Sequence, residues 1–391
     1  MLTEEEAQVA ALHYDISEVG EMHHNPAKNV LYVRASVEEI AGRQKMGAEP
    51  VKDLLASAKK KMYAARLLRT TPYVDKTVYV GWNSLCVSAY LEAAKVLQLA
   101  DARRFALRSL DRVLAEAWKD RREIDQRENR AGEAPAAVPV PASQGLLLHV
   151  VSYSDPQAER REVAGLLEDY AFTALACLDA YEATSDLSYF KFAQALADAM
   201  IARFYDATSG GFFDSEPAAE GTSLGVLATR RKPLQDSPTP AGNPMAAIAL
   251  IRLHHYSGEA GYRDKAEQTL ETFAGVAEQF GIFAATYGIA VVHLLETPVQ
   301  VVVIAEDDQA GDLLAVAAAA FAFSKATLRL AGDQVVAENL PPALASTLPG
   351  LPRLGSGKSF AVLCSGSSCQ PPISDAAALR QALQTARRQG S

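Results

Sequence analysis

The sequence predicts a mainly α protein: an array of packed helical hairpins over residues 1–297, followed by a small α/β subdomain over residues 298–391. Three observations carry this expectation. Apolar residues recur with a helical period from residue 49 to residue 297, and the periodic segments come in consecutive pairs joined by polar or glycine-containing turns. After Pro298 the texture changes to β-branched runs that alternate with helix.

In chain order, residues 47–68 read as one long helix, with Val51, Leu54, Leu55, Ala58 and Met62 on one face and Lys59, Lys60 and Lys61 partly solvated. Residues 84–99 and 101–118 form the next hairpin. Leu85, Val87, Ala89, Leu91, Ala94 and Leu97 leave its first helix little polar surface, which is the mark of a helix buried on several sides. Residues 166–183 with 187–204, and 244–256 with 261–280, repeat the relation, and 282–295 follow. In each pair an alanine-rich apolar helix precedes a more charged one, so an inner and an outer layer are expected. Between the hairpins, ENRAGEAPAAVPVP within residues 123–141 reads as an exposed flexible insertion, and residues 209–231 as a β-hairpin or irregular loop.

Beyond Pro298, VQVVVIAE is too short for a helix and reads as a strand, followed by a helix over 312–323. Strands are expected at 327–332 and 359–366, with a closing helix over 375–386 capped by Ser374 or Asp375. Such alternation favours a small sheet with at least one crossover.

Bulk composition narrows the function classes. With 49% hydrophobic residues the chain can bury a large core, so disorder is excluded for most of it. A net charge of −9 gives no basic footprint for nucleic acid or anionic lipid. The acidic start MLTEEEAQVAAL lacks the basic and apolar regions of an export signal, and the apolar run at 313–323 is too short to cross a bilayer. No membrane association is therefore expected. Four cysteines do not make a disulfide scaffold, and a cytoplasmic location is expected.

Four segments taken in order resemble the helical region of the spermatogenesis-associated protein 20 family: DKTVYVGWNSL at 75–85, LLEDYAFTALACLDAYEATSD at 166–186, GGFFDSE at 210–216 and RRKPLQDSPTPAGNPMAAIALIRL at 230–253. CSGSSCQPPISD at 364–375 resembles that family's C-terminal cysteine-pair segment. The helical part of the family is similar to N-acylglucosamine 2-epimerases and six-hairpin glycosidases, which implies an (α/α)6-toroid-like array, here whole or incomplete, and a carbohydrate-like ligand. Bacterial members carry an N-terminal thioredoxin-like domain. That domain is expected to be absent here, and no Cys-x-x-Cys occurs in the chain. Val74-Asp75 stands where the family has paired acidic residues, and Trp82-Asn83-Ser84 and Ala241-Gly242-Asn243-Pro244 depart from its Trp-Asn-Gly and Ser-Gly-Asn-Ser patterns.

In such an array the inner helix N-termini would surround a cavity in which polar groups meet one another or a ligand. The candidate acid/base residues are Asp75, Asp169 and Asp236, with Asp214 as a further carboxylate, because glycoside chemistry needs carboxylates in pairs. Candidate substrate-binding residues are Lys76, Trp82, Asn83, Glu168, Tyr170, Phe213, Asp214, Lys232 and Asn243; the aromatic rings would stack on sugar C–H groups and the polar groups hold hydroxyls. A plainer reading stands beside this one. Asp169 near a helix start suits the helix dipole, and Asn243 before Pro244 suits an N-cap.

Epimerisation requires a proton-transfer group, but His254, His255 and His293 fall at helix ends and His23 and His24 in the N-terminal segment, where capping or surface roles are expected. Gly355-Ser356-Gly357-Lys358-Ser359 imitates a phosphate loop, yet Pro352 occupies the place of its first glycine. Cys364 and Cys369 have no second Cys/His pair nearby, so free thiols or a reversible disulfide are expected, with no metal and no cofactor. The leading expectation is a carbohydrate-binding or carbohydrate-modifying protein, and if an enzyme, a sugar epimerase or isomerase or a glycoside-hydrolase-like one. The alternative is a catalytically silent scaffold or interaction module working with a separate thioredoxin-like protein partner.

Overall fold

The computed structural model describes residues 1–26, 28–119, 145–153, 162–217, 229–366 and 368–389; the insertion at 123–141 lies outside them. Two compact units, Met1–Asp75 and Lys76–Ser391, divide the chain.

The first unit holds α1 (Glu4–Tyr14), α2 (Val37–Gln44) and α3 (Ala48–Leu67). Helices α1 and α2 were not among the elements expected from periodicity, but each opens with a capping box, Thr3 with Glu6 and Ser36 with Glu39. Val9, Ile40, Val51 and Leu55 form the core between the three helices. Glu6 also reaches α3, accepting from Ser57 Oγ at 2.6 Å and Lys61 Nζ at 2.7 Å, which together hold its carboxyl down to about 2.

The second unit contains the hairpins. β1 (Thr77–Tyr79) leads into α4 (Val80–Leu97) and α5 (Ala100–Ala117), followed by β2 (Trp118–Lys119), β3 (Leu146–Leu147) and β4 (Val150–Ser152). Then come α6 (Leu167–Thr184) with α7 (Leu187–Phe204), α8 (Gly242–Ser257) with α9 (Ala260–Ala274), and α10 (Ala285–Leu295). Left-handed caps at Gln98, Ser185 and Gly258 turn each inner helix toward its outer partner. Helices α4, α6, α8 and α10 lie side by side as the inner layer, and α5, α7 and α9 pack outside them. The two-layer, toroid-like arrangement expected from the sequence is present. Among the described residues it comprises three hairpins and one further inner helix, short of six pairs.

Small side chains let the inner helices approach closely. Ala171, Ala174, Ala176 and Ala180 of α6 are fully buried, as are Ala246, Ala247 and Ala249 of α8. Larger groups fill the remaining space; Tyr181, Phe190 and Tyr256 stack edge to face or tilted at 5.3–6.1 Å.

The single helix expected over 261–280 ends at Ala274, and a 3-10 stretch runs from Ala277 to Ala284. By length and composition, Ala277–Leu295 is apolar enough to cross a membrane, which corrects the expectation that no such stretch occurs. It is bent at Gly281 (φ 51°, ψ −126°), and its helical part α10 is 11 residues long, too short for a bilayer, and packs on α8.

β5 (Val299–Ala305), β6 (Lys325–Ala331), β7 (Phe360–Ser365) and β8 (Ser368–Cys369) form one sheet in the order β6-β5-β7-β8. β5 and β6 are parallel, with the crossover helix α11 (Ala310–Ala319) between them in sequence. Pleat alternation sends Val302, Ile304, Leu328, Leu330, Phe360 and Val362 into the core of the helical hairpins. Val301, Val303 and Leu363 face the other way, onto α11 and α12 (Ala376–Gln389). Residue 298 therefore marks a change of secondary structure, whereas the compact units divide at residue 75 because one face of the sheet belongs to the helical core. Cys364 and Cys369 are cross-strand neighbours joined by a disulfide. The glycine-rich loop cradles no phosphate: Gly355 N and Gly357 N donate to the Glu306 carboxylate at 2.7 and 2.6 Å.

Candidate functional site

Backbone pairing assembles the site at the start of the inner helices. β1 pairs with β4 in antiparallel register, Tyr79 opposite Val150, and Val80 N donates to His149 O at 2.9 Å. This sets the His149 ring at the entrance to α4 and α6. Its Nδ1 lies 2.8 Å from Asp169 Oδ2. Asp169 is buried at 1% exposure, and its carboxylate also accepts from Gly81 N at 2.9 Å and Leu166 N at 2.8 Å. A residue with a Cβ at 81 would place that atom 2.8 Å from Asp169 Oδ1, so glycine is required for α4 to approach α6 this closely.

An acceptor fixed by two backbone amides orients the imidazole, with Nδ1–H donating to Asp169 and Nε2 left for a ligand. The carboxylate holds the His149 pKa above its ordinary value, while burial opposes it. Beside it, half-buried Glu168 has its pKa raised by burial and then by the Asp169 charge. Tyr79 meets the His149 ring edge-on at 5.7 Å and the Trp82 ring at 4.8 Å, and Trp82 remains 53% exposed. The result is an exposed aromatic platform next to an oriented imidazole and a half-buried carboxyl whose pKa is raised.

The other predicted residues are placed differently. Asp75 and Lys76 are exposed at the boundary between the two units. Asn83 is half-buried, and its Nδ2 donates to Tyr79 O at 2.8 Å, within its own helix turn. Tyr170 is fully buried; its hydroxyl accepts from Leu147 N at 2.9 Å, and burial pushes its pKa up to about 12. Its ring therefore offers no face to a sugar, and it pins β3 to α6.

Asn243, also fully buried, exchanges two hydrogen bonds with the Phe212 backbone at 2.7 and 2.9 Å and donates to Pro233 O at 3.0 Å. It is a bracket between loops. Asp236 accepts from Ala241 N at 2.8 Å and Thr286 N at 2.9 Å, which ties the entrance of α8 to that of α10. Asp214 accepts from Arg231 N at 3.0 Å, and its backbone oxygen takes Leu167 N at 3.0 Å. Lys232 donates to Asp206 at 2.8 Å and to Gly210 O at 2.5 Å, while Phe213 lies under Arg230 at 3.8 Å.

The structure thus brings Trp82, Glu168 and Asp169 together and adds Tyr79 and His149. Asp214, Lys232, Phe213 and Asn243 gather instead around the loop that follows α7. His149 escapes a motif reading because its one functional signal, the pairing of β1 with β4, links residues about 70 apart. Among the described residues no His/Cys/Asp/Glu cluster of three or more suits a metal ion.

No protein-family profile matches the chain. Solved structures with a similar arrangement include a GH76 α-mannanase from Bacteroides thetaiotaomicron, 15% identical with a TM-score of 0.38 and covering 58% of this chain and 54% of that one. A cellobiose 2-epimerase from Bacillus thermoamylovorans is 13% identical, with a TM-score of 0.36 over 51% of this chain and 45% of that one. In sequence, the chain is 28% identical over 389 residues to spermatogenesis-associated protein 20 of Homo sapiens, covering 96% of this chain and 46% of that protein. The Mus musculus counterpart is 27% identical, with 96% and 45% covered. The chain spans about half the length of the curated relatives it matches, and over almost its whole length it is similar to the spermatogenesis-associated protein 20 family.

Proposed function

We propose that the rim at the start of α4 and α6 binds a carbohydrate and transfers a proton on it, as in a sugar epimerase or isomerase. The observation that carries this reading is the Asp169-oriented His149 beside exposed Trp82 and half-buried Glu168. Trp82 would stack on the C–H face of a sugar ring. His149 Nε2 would then remove a proton from the carbon next to the carbonyl of the open-chain sugar. Glu168, whose pKa burial raises, would supply one to the carbonyl oxygen. Return of the proton to the opposite face of the same carbon, while Glu168 takes back the proton it gave to the carbonyl oxygen, gives an epimer; return to the neighbouring carbon, while the hydroxyl proton on the first carbon passes to Glu168, gives the isomer. Neither outcome consumes an oxidant or a reductant.

A panel of mono- and disaccharides in D2O, followed by NMR, tests this. At least one sugar should shift the Trp82 indole N–H and take up deuterium at the carbon next to its carbonyl, and His149→Gln should remove the exchange while the indole shift remains. Unmoved indole signals and sugars free of deuterium across the panel would sink the proposal. That result would favour the competing reading, a silent module acting with a separate thioredoxin-like partner.

A further inference from the structure

A polar cavity lies at the other end of the same inner helices. From Asp169 to Glu182 along α6 is about 20 Å at the rise of an α-helix. The cavity, of about 500 Å3, is bounded by the C-terminal turns of α4, α6, α8 and α10 and by the segment joining α11 to β6. An adjoining hollow of about 610 Å3 under α11 shares Glu92, Lys95, Asp179 and Glu182 with it.

Its charges are matched internally. Arg252 donates to Asp179 at 2.7 Å and to Glu182 at 2.8 Å, and Tyr256 adds a hydrogen bond to Glu182 at 3.0 Å. Lys95 pairs with Glu92, and Lys325 donates to the carbonyls of Ala317 and Ala320 at the end of α11. Three carboxylates thus face three cations. Burial keeps His255 and His293 neutral, with pKa values of about 4. Arg103 and Arg329, both exposed, lie outside this set along the adjoining hollow; within the cavity itself a charged ligand would meet only charges that already cancel, and would lose its hydration, which is costly.

Hydrogen-bonding capacity is left over nonetheless. Thr327, on the β6 face toward α11, is 8% exposed, and its Oγ1 has no hydrogen-bond partner among the described residues; it lines the adjoining hollow. The His255 ring lines the cavity, and burial keeps it neutral. A neutral imidazole offers one donor and one acceptor, and a threonine hydroxyl offers both. Hydroxyl groups on a ligand match that mixed pattern. Phe321 and Phe323, edge-on at 5.1 Å and both exposed, add an apolar wall.

We infer that this cavity is a binding site for a small uncharged polyhydroxylated molecule of about monosaccharide size, separate from the rim around Trp82. The volume falls in the range of small-molecule sites. Nothing in the inference depends on the proposed chemistry at His149.

Saturation-transfer NMR with the full chain tests it, using D-glucose, D-mannose, N-acetylglucosamine and myo-inositol as neutral probes and gluconate and glucosamine as charged ones, at pH 7. Transfer to at least one neutral probe is expected, unchanged in Trp82→Ala and lost in Ala319→Trp, which closes the groove from an exposed position shared by both hollows. Should Ala319→Trp melt early, Thr327→Val takes its place, with an affinity about tenfold weaker expected from one lost hydrogen bond. No transfer to any neutral probe overturns the inference, and so does equal transfer to the charged ones. Binding that survives Ala319→Trp, or Thr327→Val where that variant is used, but disappears in Trp82→Ala assigns the ligand to the rim; it overturns the second site while leaving the rim reading intact.

Discussion

Asp169 and Asn243 show how one polar side chain, once buried, becomes a joint. Asn243→Ala would strand the Phe212 amide and carbonyl and the Pro233 carbonyl without partners in the interior. At about 1–3 kcal/mol for each buried group left unsatisfied, a loss of roughly 3 kcal/mol or more is expected in urea unfolding. Asp169→Asn tests the dyad instead. His149 should titrate by NMR above the ordinary value of about 6.5 in the native protein and fall to or below it in the variant, because the charge that favours the imidazolium is gone while burial remains. The sign for stability follows from a raised folded-state pKa. The His149–Asp169 bond contributes fully below about 6.5, and its contribution fades as the pH rises through the higher native value. Asp169 was legible as a candidate from its place at a helix start, yet its partner was not, since β1 and β4 meet only in the folded chain.

Among the elements, the inner helices were the clearest in the sequence, and α1 and α2 the least. Alanine-rich, nearly all-round apolar segments such as α6 and α8 have one explanation, burial on several sides, and both are buried along almost every turn. Helices α1 and α2 bury only two or three residues each, so periodicity is weak and only their capping boxes announce them. Close packing of alanine against alanine makes the inner layer intolerant of bulk. Ala247→Leu, at a fully buried position of α8, should destabilise the protein by about 1–3 kcal/mol, measured by the shift of the denaturation midpoint. A midpoint unchanged by that substitution would mean that the inner layer is looser than its burial implies.

For the whole molecule, the cavity at the C-terminal ends of the inner helices sets a pH dependence. His255 and His293 have native pKa values of about 4, so the unfolded chain binds their protons first on acidification. Their stabilising contribution is complete above about 6.5 and is lost as the pH falls toward 4, with a slope of at most about 1.4 kcal/mol per pH unit for each. The melting temperature should therefore drop between pH 6.5 and 4.5, and the drop should flatten in the double variant His255→Gln, His293→Gln. Equal slopes in the two proteins would refute the buried neutral pair. Both histidines were expected from the sequence in capping or surface roles, because a position near a helix end does not reveal that a sheet closes over it.

Local sequence determined what local physics controls: the helix periods, the inner-to-outer alternation, the three longer strands beyond Pro298, and the identity of Trp82, Glu168 and Asp169 as unusual residues at helix starts. Tertiary structure decided which of those residues share a surface and which are sealed inside. It gave Asp169 its histidine, took Tyr170 and Asn243 out of reach of any ligand, fused the C-terminal sheet to the helical core, and opened a cavity at the far ends of the helices. The reason is that burial and partnership depend on contacts between residues far more than a hundred positions apart, such as Ser185 with Arg329, whereas composition and spacing report only on neighbours within a few turns.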